Sequence, residues 1–180
     1  MLTPGLIKLS PADIGDLVDY ARRTKVSYRA TQGAEVESFP PLPDRVVKSL
    51  ELTLGPNGLG PHRSPVGFVP CELHQPAFAA QFIVAYYALA GRPNSLGNFE
   101  SINSYTLKHV VEYTWQEVGL RGSIYVSNGA VILAALAVGH AVYHCPLGED
   151  LNALIELGQG WRDTIAENLR RLATHQRVIL

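Results

Sequence analysis

Residues 77–90 read AFAAQFIVAYYALA and residues 130–143 read AVILAALAVGHAVY, and these two apolar stretches dominate the chain. In both, apolar side chains fall on every side of a helical projection, which is typical of a helix surrounded by neighbours. Pro76 suits the first position of the first helix, and Ser127 can cap the second, predicted over 128–143. The sequence therefore predicts two buried core helices.

Neither stretch fits a membrane span. A spanning helix needs about 17–25 apolar residues, whereas each stretch is shorter and carries a polar residue, Gln81 or His140, in its interior. The N-terminal residues lack a basic segment followed by a long apolar run. Two cysteines, Cys71 and Cys145, are too few for a disulfide framework. We expect no membrane association and a cytoplasmic location.

Composition indicates one globular domain over residues 1–180. The chain is 47% hydrophobic and 17% charged, against about 25% charged in an average soluble domain. This balance excludes a disordered tail. The formal net charge of −1 excludes a globally basic nucleic-acid binder.

Further helices are expected outside the two apolar stretches. Ser10 can cap a first helix that ends near Thr24, and Asn103 or Ser104 can cap a third over 105–117. Strand signals are few: a short strand at 66–69 and a β-prone run at 123–126. We predict a mainly α fold, a compact helical domain around two apolar helices with at most a small β element. Short and amphipathic helices are also predicted at 151–157 and 161–173, and a turn at 55–60.

Four side chains form a candidate metal site. Cys71 and His74 stand in a Cys-x-x-His pair before the first apolar helix. His140 and His144, four residues apart, would share a face of helix 128–143, a spacing that many zinc sites use. The alternative interpretation is a core His140, a capping His144 and buried free thiols. Zinc is thus a candidate cofactor, but the run His-Ala-Val-Tyr-His lacks the glutamate of a zincin protease.

One face of the predicted third helix is polar. Its side chains stand at i, i+3, i+4 and i+7: Tyr105, Lys108, His109 and Glu112. All four types can take part in proton transfer, so an active site is one interpretation. Lys108 and Glu112 also make an ordinary surface pair, and the opposite side of the helix is apolar. We favour a solvated face.

A local basic segment offers an alternative nucleic-acid site. Cations with an aromatic among them can contact phosphates and stack a base. The same cations are favourable near the carboxyl end of the first helix without any ligand. The segment comprises Arg22, Arg23, Lys25, Tyr28 and Arg29.

Two short strings carry a resemblance. Ser-Tyr-Thr-Leu-Lys-His at 104–109 and Tyr-Val-Ser-Asn-Gly at 125–129 resemble strings in small uncharacterised proteins of phages and mobile elements. The resemblance implies that Ser104 and Ser127 cap two packed helices. It also implies an accessory protein that acts by binding.

Known catalytic motifs are missing from the sequence. It contains neither a Walker phosphate loop nor a Gly-x-Ser-x-Gly elbow. Our first hypothesis is a non-enzymatic phage- or plasmid-type accessory protein that binds a host protein or nucleoprotein as inhibitor or adaptor. The alternatives are a metal-supported domain or enzyme, and a nucleic-acid-binding protein. Homo-oligomerisation is open, because small residues could pack within the chain or across a two-fold axis: Ala130, Ala134, Ala137 and Ala141.

Overall fold

A computed structural model describes residues 6–24, 39–50, 54–55, 57–59, 63–64, 67–68, 73–91, 98–119, 124–145 and 151–177. Within these ranges most of the regular structure is helical, which confirms the prediction of a mainly α fold. The helices are α1 (Pro11–Arg23), α2 (Asp44–Leu50), α3 (Pro76–Leu89), α4 (Ser104–Glu117), α5 (Asn128–Val138) and α6 (Trp161–Arg177). The strands are β1 (Leu6–Ile7), β2 (Leu54–Gly55), β3 (Gly58–Leu59), β4 (Arg63–Ser64), β5 (Gly67–Phe68), β6 (Phe99–Asn103), β7 (Val142–His144) and β8 (Ala153–Gly158).

Helices α1, α4 and α5 begin near the residues that the sequence predicts as their caps. Ser10 Oγ accepts the backbone N–H of Asp13, and α1 ends at its C-cap Thr24. Ser127 Oγ accepts the backbone N–H of Ala130, which confirms Ser127 as the cap of α5. Asn103 caps α4, whereas Ser104 is the first helical residue. The implied cap at Ser104 is therefore wrong.

Helices α3 and α5 are the most buried of the helices and pack against each other. In α5, every residue from Asn128 to Ala137 is buried. Burial of each large apolar side chain there, such as Ile132 or Leu133, stabilises the fold by about 1.5–3 kcal/mol. Within the described ranges no helix is both long and apolar enough to cross a membrane.

A four-stranded antiparallel sheet in the order β1-β7-β8-β6 packs against α4 and α5. Alternate residues of β8 are buried, and Ile155 pairs with Val142 on one side and Ile102 on the other. The prediction of a short helix over 151–157 is wrong, because residues 153–157 belong to β8. A short apolar run fits either element, and pairing with two neighbouring strands favours the strand.

Helix α5 is shorter than the sequence predicts. It ends at Val138, and Gly139 adopts a left-handed conformation with φ 95°. A glycine in this conformation is a common helix terminator, because it lacks the Cβ that penalises positive φ. The prediction of a helix to residue 143 is therefore wrong, and residues 142–144 form β7 instead.

Within the predicted turn at 55–60, Gly55 ends β2 and Gly58–Leu59 form β3, and the two strands pair as a hairpin. Gly58 has φ 132°, and a Cβ there would lie 1.8 Å from the backbone oxygen of Leu151. Glycine is thus needed both for the conformation and for the close approach. Leu59 N–H donates to the same Leu151 oxygen at 2.9 Å. Farther along, the predicted strand at 66–69 contains β5, which pairs with β4.

Candidate functional site

The predicted polar face lies on α4, which is anchored at its first turn. Asn103 Oδ1 accepts the N–H of Tyr105 at 2.8 Å. Ser104 Oγ accepts the N–H of Ala153 at 3.0 Å and so ties the helix to β8. The side of α4 that faces the core includes Leu107, Val111 and Trp115. These contacts hold the opposite side of the helix at the protein surface.

Glu112 connects the groups of this face. Its Oε2 lies 2.9 Å from His109 Nδ1, and its Oε1 lies 3.7 Å from Lys108 Nζ. The same Oε1 accepts the backbone N–H of Val126 at 2.9 Å. A carboxylate has two oxygens with several acceptor positions, so one side chain can serve all three neighbours. The structure therefore brings together all four residues of the predicted face.

The segment 124–127 covers part of α4. It forms no strand, contrary to the β-prone pattern at 123–126. Val126 N–H bonds to Glu112, and Ser127 N–H donates to Gln81 Oε1 of α3 at 2.9 Å. Because consecutive residues are bonded to two different helices, the segment holds Tyr125 in a defined position beside α4.

The favoured prediction of a solvated face is wrong at Lys108, which is buried, although Tyr105 on the same face is 53% exposed. The side chains of Lys108 and Glu112 are 7% and 15% exposed. Lys108 Nζ lies 5.2 Å from the Tyr105 ring centroid and 4.8 Å from that of Tyr125. A cation is attracted by the face of an aromatic ring, so two rings and a carboxylate offset the loss of water around the ammonium group. The sequence pattern missed this because Tyr125 lies outside the helix.

Three exposed tyrosines lie beside Lys108 and His109. Tyr105, Tyr113 and Tyr125 are 53%, 64% and 63% exposed. The His109 ring packs edge-on to Tyr105, with centroids 4.7 Å apart, and lies 6.4 Å from Tyr113. We call these tyrosines and His109 the tyrosine patch. Tyr113 could have been found from its helical spacing to His109, whereas no sequence signal points to Tyr125.

The chemistry of the tyrosine patch is that of an amphipathic surface. The Glu112 carboxylate can accept a hydrogen bond from His109 Nδ1–H. Phenol rings offer apolar area together with a polar hydroxyl.

No family model, curated protein or solved structure matches this chain.

The second predicted cluster, the metal site, is not assembled as expected. Since α5 ends before His140, that residue and His144 do not share a helix face. His74 Nδ1 instead lies 3.7 Å from Asp44 Oδ1, and Cys71 falls outside the described residues. Among the residues that the structure describes, no three His, Cys, Asp or Glu side chains are grouped to hold a metal ion.

His140 instead faces the carboxyl end of α3. Its Nε2 lies 3.5 Å from the backbone oxygen of Leu89. Burial lowers the pKa of His140, with the Leu89 contact acting in the opposite direction. Removal of water destabilises the imidazolium more than the neutral ring, so the neutral form is favoured.

The predicted nucleic-acid segment is described only at its start. Arg22 and Arg23 lie in the last turn of α1, and Arg23 Nη2 is 3.3 Å from Asp19 Oδ2. An exposed pair of this kind contributes about 0.2–1 kcal/mol to stability. Lys25, Tyr28 and Arg29 lie outside the described residues.

Proposed function

We propose that this chain is a non-enzymatic accessory protein of phage or plasmid type. It acts in the cytoplasm by binding a host protein or nucleoprotein, as an inhibitor or adaptor, through its tyrosine patch. The observation that supports this proposal is the grouping of three tyrosines, each more than half exposed, around His109 and Lys108: Tyr105 and Tyr113 lie beside the imidazole, and Tyr105 and Tyr125 beside the ammonium group. We infer that a compact domain organised around α3 and α5 presents the patch, and the packing of these two helices against each other supports this inference.

Tyrosine is suited to this role. Interfaces are enriched in tyrosine and tryptophan, and a few such side chains dominate the binding energy. Each ring supplies a large contact area while only two side-chain torsions need to be ordered. Three such rings on one surface are therefore more informative than scattered exposed apolar residues.

The patch is also preorganised. Lys108 contacts two of the rings, and Glu112 holds both Lys108 and His109. Rings that are already positioned lose less conformational freedom on binding, which leaves more of the contact energy for affinity. This arrangement favours a binding surface over an accidental exposure of tyrosines.

The charges of the patch favour a protein partner over nucleic acid. The Lys108 and Glu112 side chains are largely buried and of opposite sign, so they present little net charge. Nucleic-acid affinity comes largely from exposed cations that neutralise phosphates. The patch therefore matches a neutral protein surface better than it matches nucleic acid. Such a surface offers apolar side chains for the rings and hydrogen-bond acceptors for the phenol hydroxyls.

The proposal is tested by capture from a bacterial lysate on the immobilised protein and on its variants Tyr113→Ala and Tyr125→Ala. A matched control is Phe99→Ala, since Phe99 is 50% exposed but lies on β6. We expect a specific partner that the wild type and the control retain and that the tyrosine variants lose.

The captured protein is then purified and its affinity measured by calorimetry. Each tyrosine truncation should weaken binding about tenfold or more, which corresponds to about 1.4 kcal/mol. Equal affinity of the tyrosine variants and the Phe99→Ala control would contradict the role of the patch. Sedimentation of the protein alone separates self-association from binding to another chain.

A further inference from the structure

The two edges of the four-stranded sheet differ in length. The outer strands in the order β1-β7-β8-β6 are β1, with two residues, and β6, with the five residues Phe99–Asn103. Natural proteins protect exposed sheet edges with very short strands, prolines or charged residues, lysines above all. β1 is protected by its length, whereas β6 contains neither proline nor lysine and has Glu100 as its one charged residue. The edge at β6 is therefore the more open of the two.

The ladder between β6 and β8 shows which backbone groups of β6 point outward. In an antiparallel pair, residues that exchange hydrogen bonds with the neighbouring strand alternate with residues that do not. Gln159 N–H donates to the backbone oxygen of Asn98 at 3.1 Å, so in this register residues 98, 100 and 102 bond to β8. The N–H and C=O groups of Phe99 and Ser101 therefore point away from the sheet.

The outward N–H and C=O groups of Phe99 and Ser101 form what we call the β6 edge, and another strand fits it. In the part of the chain that the structure describes, β6 pairs only with β8. The three residues from Phe99 to Ser101 are exposed, so two donors and two acceptors face solvent. An extended backbone carries the same groups at the same spacing, and so it can satisfy all four at once.

A carboxylate lies one strand behind the β6 edge. Ser101 pairs directly with Glu156 of β8, and paired residues project from the same face of a sheet. Glu156 is partly exposed, and the ion pairs found among the described residues do not include it. Neighbouring strands are about 4.8 Å apart, and the serine side chain is short. A lysine or arginine opposite Ser101 on an added strand can therefore extend over it to Glu156.

The Glu100 carboxylate disfavours a second copy of this chain as the added strand. Two β6 edges would join all their outward groups if a two-fold axis passed beside residue 100, with Phe99 of each copy opposite Ser101 of the other. This register places Glu100 directly opposite its own copy, and like charges in that position destabilise a sheet. A basic strand meets the same carboxylate favourably.

We propose that the β6 edge binds an extended, basic segment of a partner protein as a fifth, antiparallel strand, with a lysine or arginine opposite Ser101. The backbone hydrogen bonds supply affinity, and the two carboxylates select a basic sequence. Antiparallel pairing is slightly the more stable of the two orientations. The β6 edge is separate from the tyrosine patch, none of whose residues lies on β6.

The probe is the peptide acetyl-Thr-Val-Lys-Val-Thr-amide, whose β-branched residues favour an extended backbone. Its control has glutamate in place of the lysine. Binding is measured by NMR, through the hydrogen exchange of individual backbone amides. With about nine-tenths of the protein bound, exchange at Phe99 and Ser101 should slow about tenfold. The amides of Glu100 and Ile102 already face β8 and should change much less.

The control peptide measures the selection of charge. It should bind at least about threefold more weakly than the lysine peptide, since an opposite-charge pair across strands is favourable and a like-charge pair is not. Glu156→Gln should reduce this preference for the lysine peptide.

Two substitutions at one position test the backbone contact. Ser101→Pro removes an N–H that β8 does not use, so the protein should stay folded and lose the peptide. Ser101→Ala keeps this N–H and should keep the binding.

Unchanged exchange at Phe99 and Ser101 with the lysine peptide would overturn the proposal, and so would binding that survives Ser101→Pro. Equal affinities of the two peptides, or a lysine preference unchanged by Glu156→Gln, would overturn the choice of a basic partner. If Ser101→Pro does not fold, amide exchange in the wild type still decides. Protection of the same amides that rises with protein concentration in the absence of peptide would overturn the proposal in favour of a second copy.

Discussion

The tyrosine patch and the carboxyl end of α3 each have a histidine beside them, but the two imidazoles have different partners. In the patch, His109 lies 2.9 Å from the Glu112 carboxylate, which also accepts from Val126. At the end of α3, His140 is near the backbone oxygen of Leu89, and burial lowers its pKa. The difference is that a carboxylate lies beside one imidazole, whereas burial favours the neutral form of the other.

The largest expected effect comes from removing the charge of Glu112. Glu112→Gln leaves the ammonium of Lys108 buried without a counter-charge, and breaking a buried pair costs about 3–5 kcal/mol. We expect the free energy of unfolding, measured by urea denaturation, to fall by about 3 kcal/mol.

A matched control is Glu117→Gln, because Glu117 is exposed at the end of the same helix. Its effect should stay within about 0.5 kcal/mol. The double variant Glu112→Gln with Lys108→Met should recover part of the loss, since it removes the uncompensated charge. Equal losses from the two glutamate variants would show that the pair at α4 contributes no special stability.

We expect His140 to make the stability of the protein depend on pH, with an effect of intermediate size. Because the pKa of His140 is lower in the folded chain than in the unfolded one, the unfolded chain takes up this proton first as the pH falls. The stabilisation is fully present above about pH 6.5, the pKa of an exposed histidine, and is lost as the pH falls through the folded value. The slope for one proton is at most about 1.4 kcal/mol per pH unit.

Thermal unfolding, followed from about pH 8 down to about pH 4.5, brackets the ordinary histidine pKa and measures this dependence. His140→Phe should flatten the profile relative to the wild type, whereas His144→Phe, at an exposed position, should not. Identical profiles of thermal stability against pH for the two variants would mean that burial does not favour the neutral form of His140.

The smallest expected effect separates two tyrosines of the patch. Tyr125→Leu removes a ring 4.8 Å from Lys108 Nζ and should destabilise the protein by about 0.5–1 kcal/mol. Tyr113→Leu removes a ring that contacts only His109 among the aromatic contacts of the described residues, and should change stability by less than about 0.5 kcal/mol. Urea denaturation of both variants provides the comparison. Equal losses would indicate that Lys108 does not depend on Tyr125.

Local patterns predicted much of the helical structure. The caps at Ser10, Asn103 and Ser127 each involve a hydrogen bond that spans two or three residues, so the sequence alone contains both partners. The spacing that placed Lys108, His109 and Glu112 together also held, because α4 continues through all of them. The same spacing failed for His140 and His144, because Gly139 ends the helix before them.

The amino-acid pattern thus established two buried apolar helices, the starts of α1, α3, α4 and α5, and the polar face of α4, since each depends on neighbours within a turn or two. The sheet depends on partners that lie far apart in the chain. The same is true of the burial of Lys108 and of His140. Ser104 meets Ala153, and Val126 meets Glu112, only after the elements pack. Because such contacts are set by packing rather than by local periodicity, no short stretch of sequence contains both sides of them.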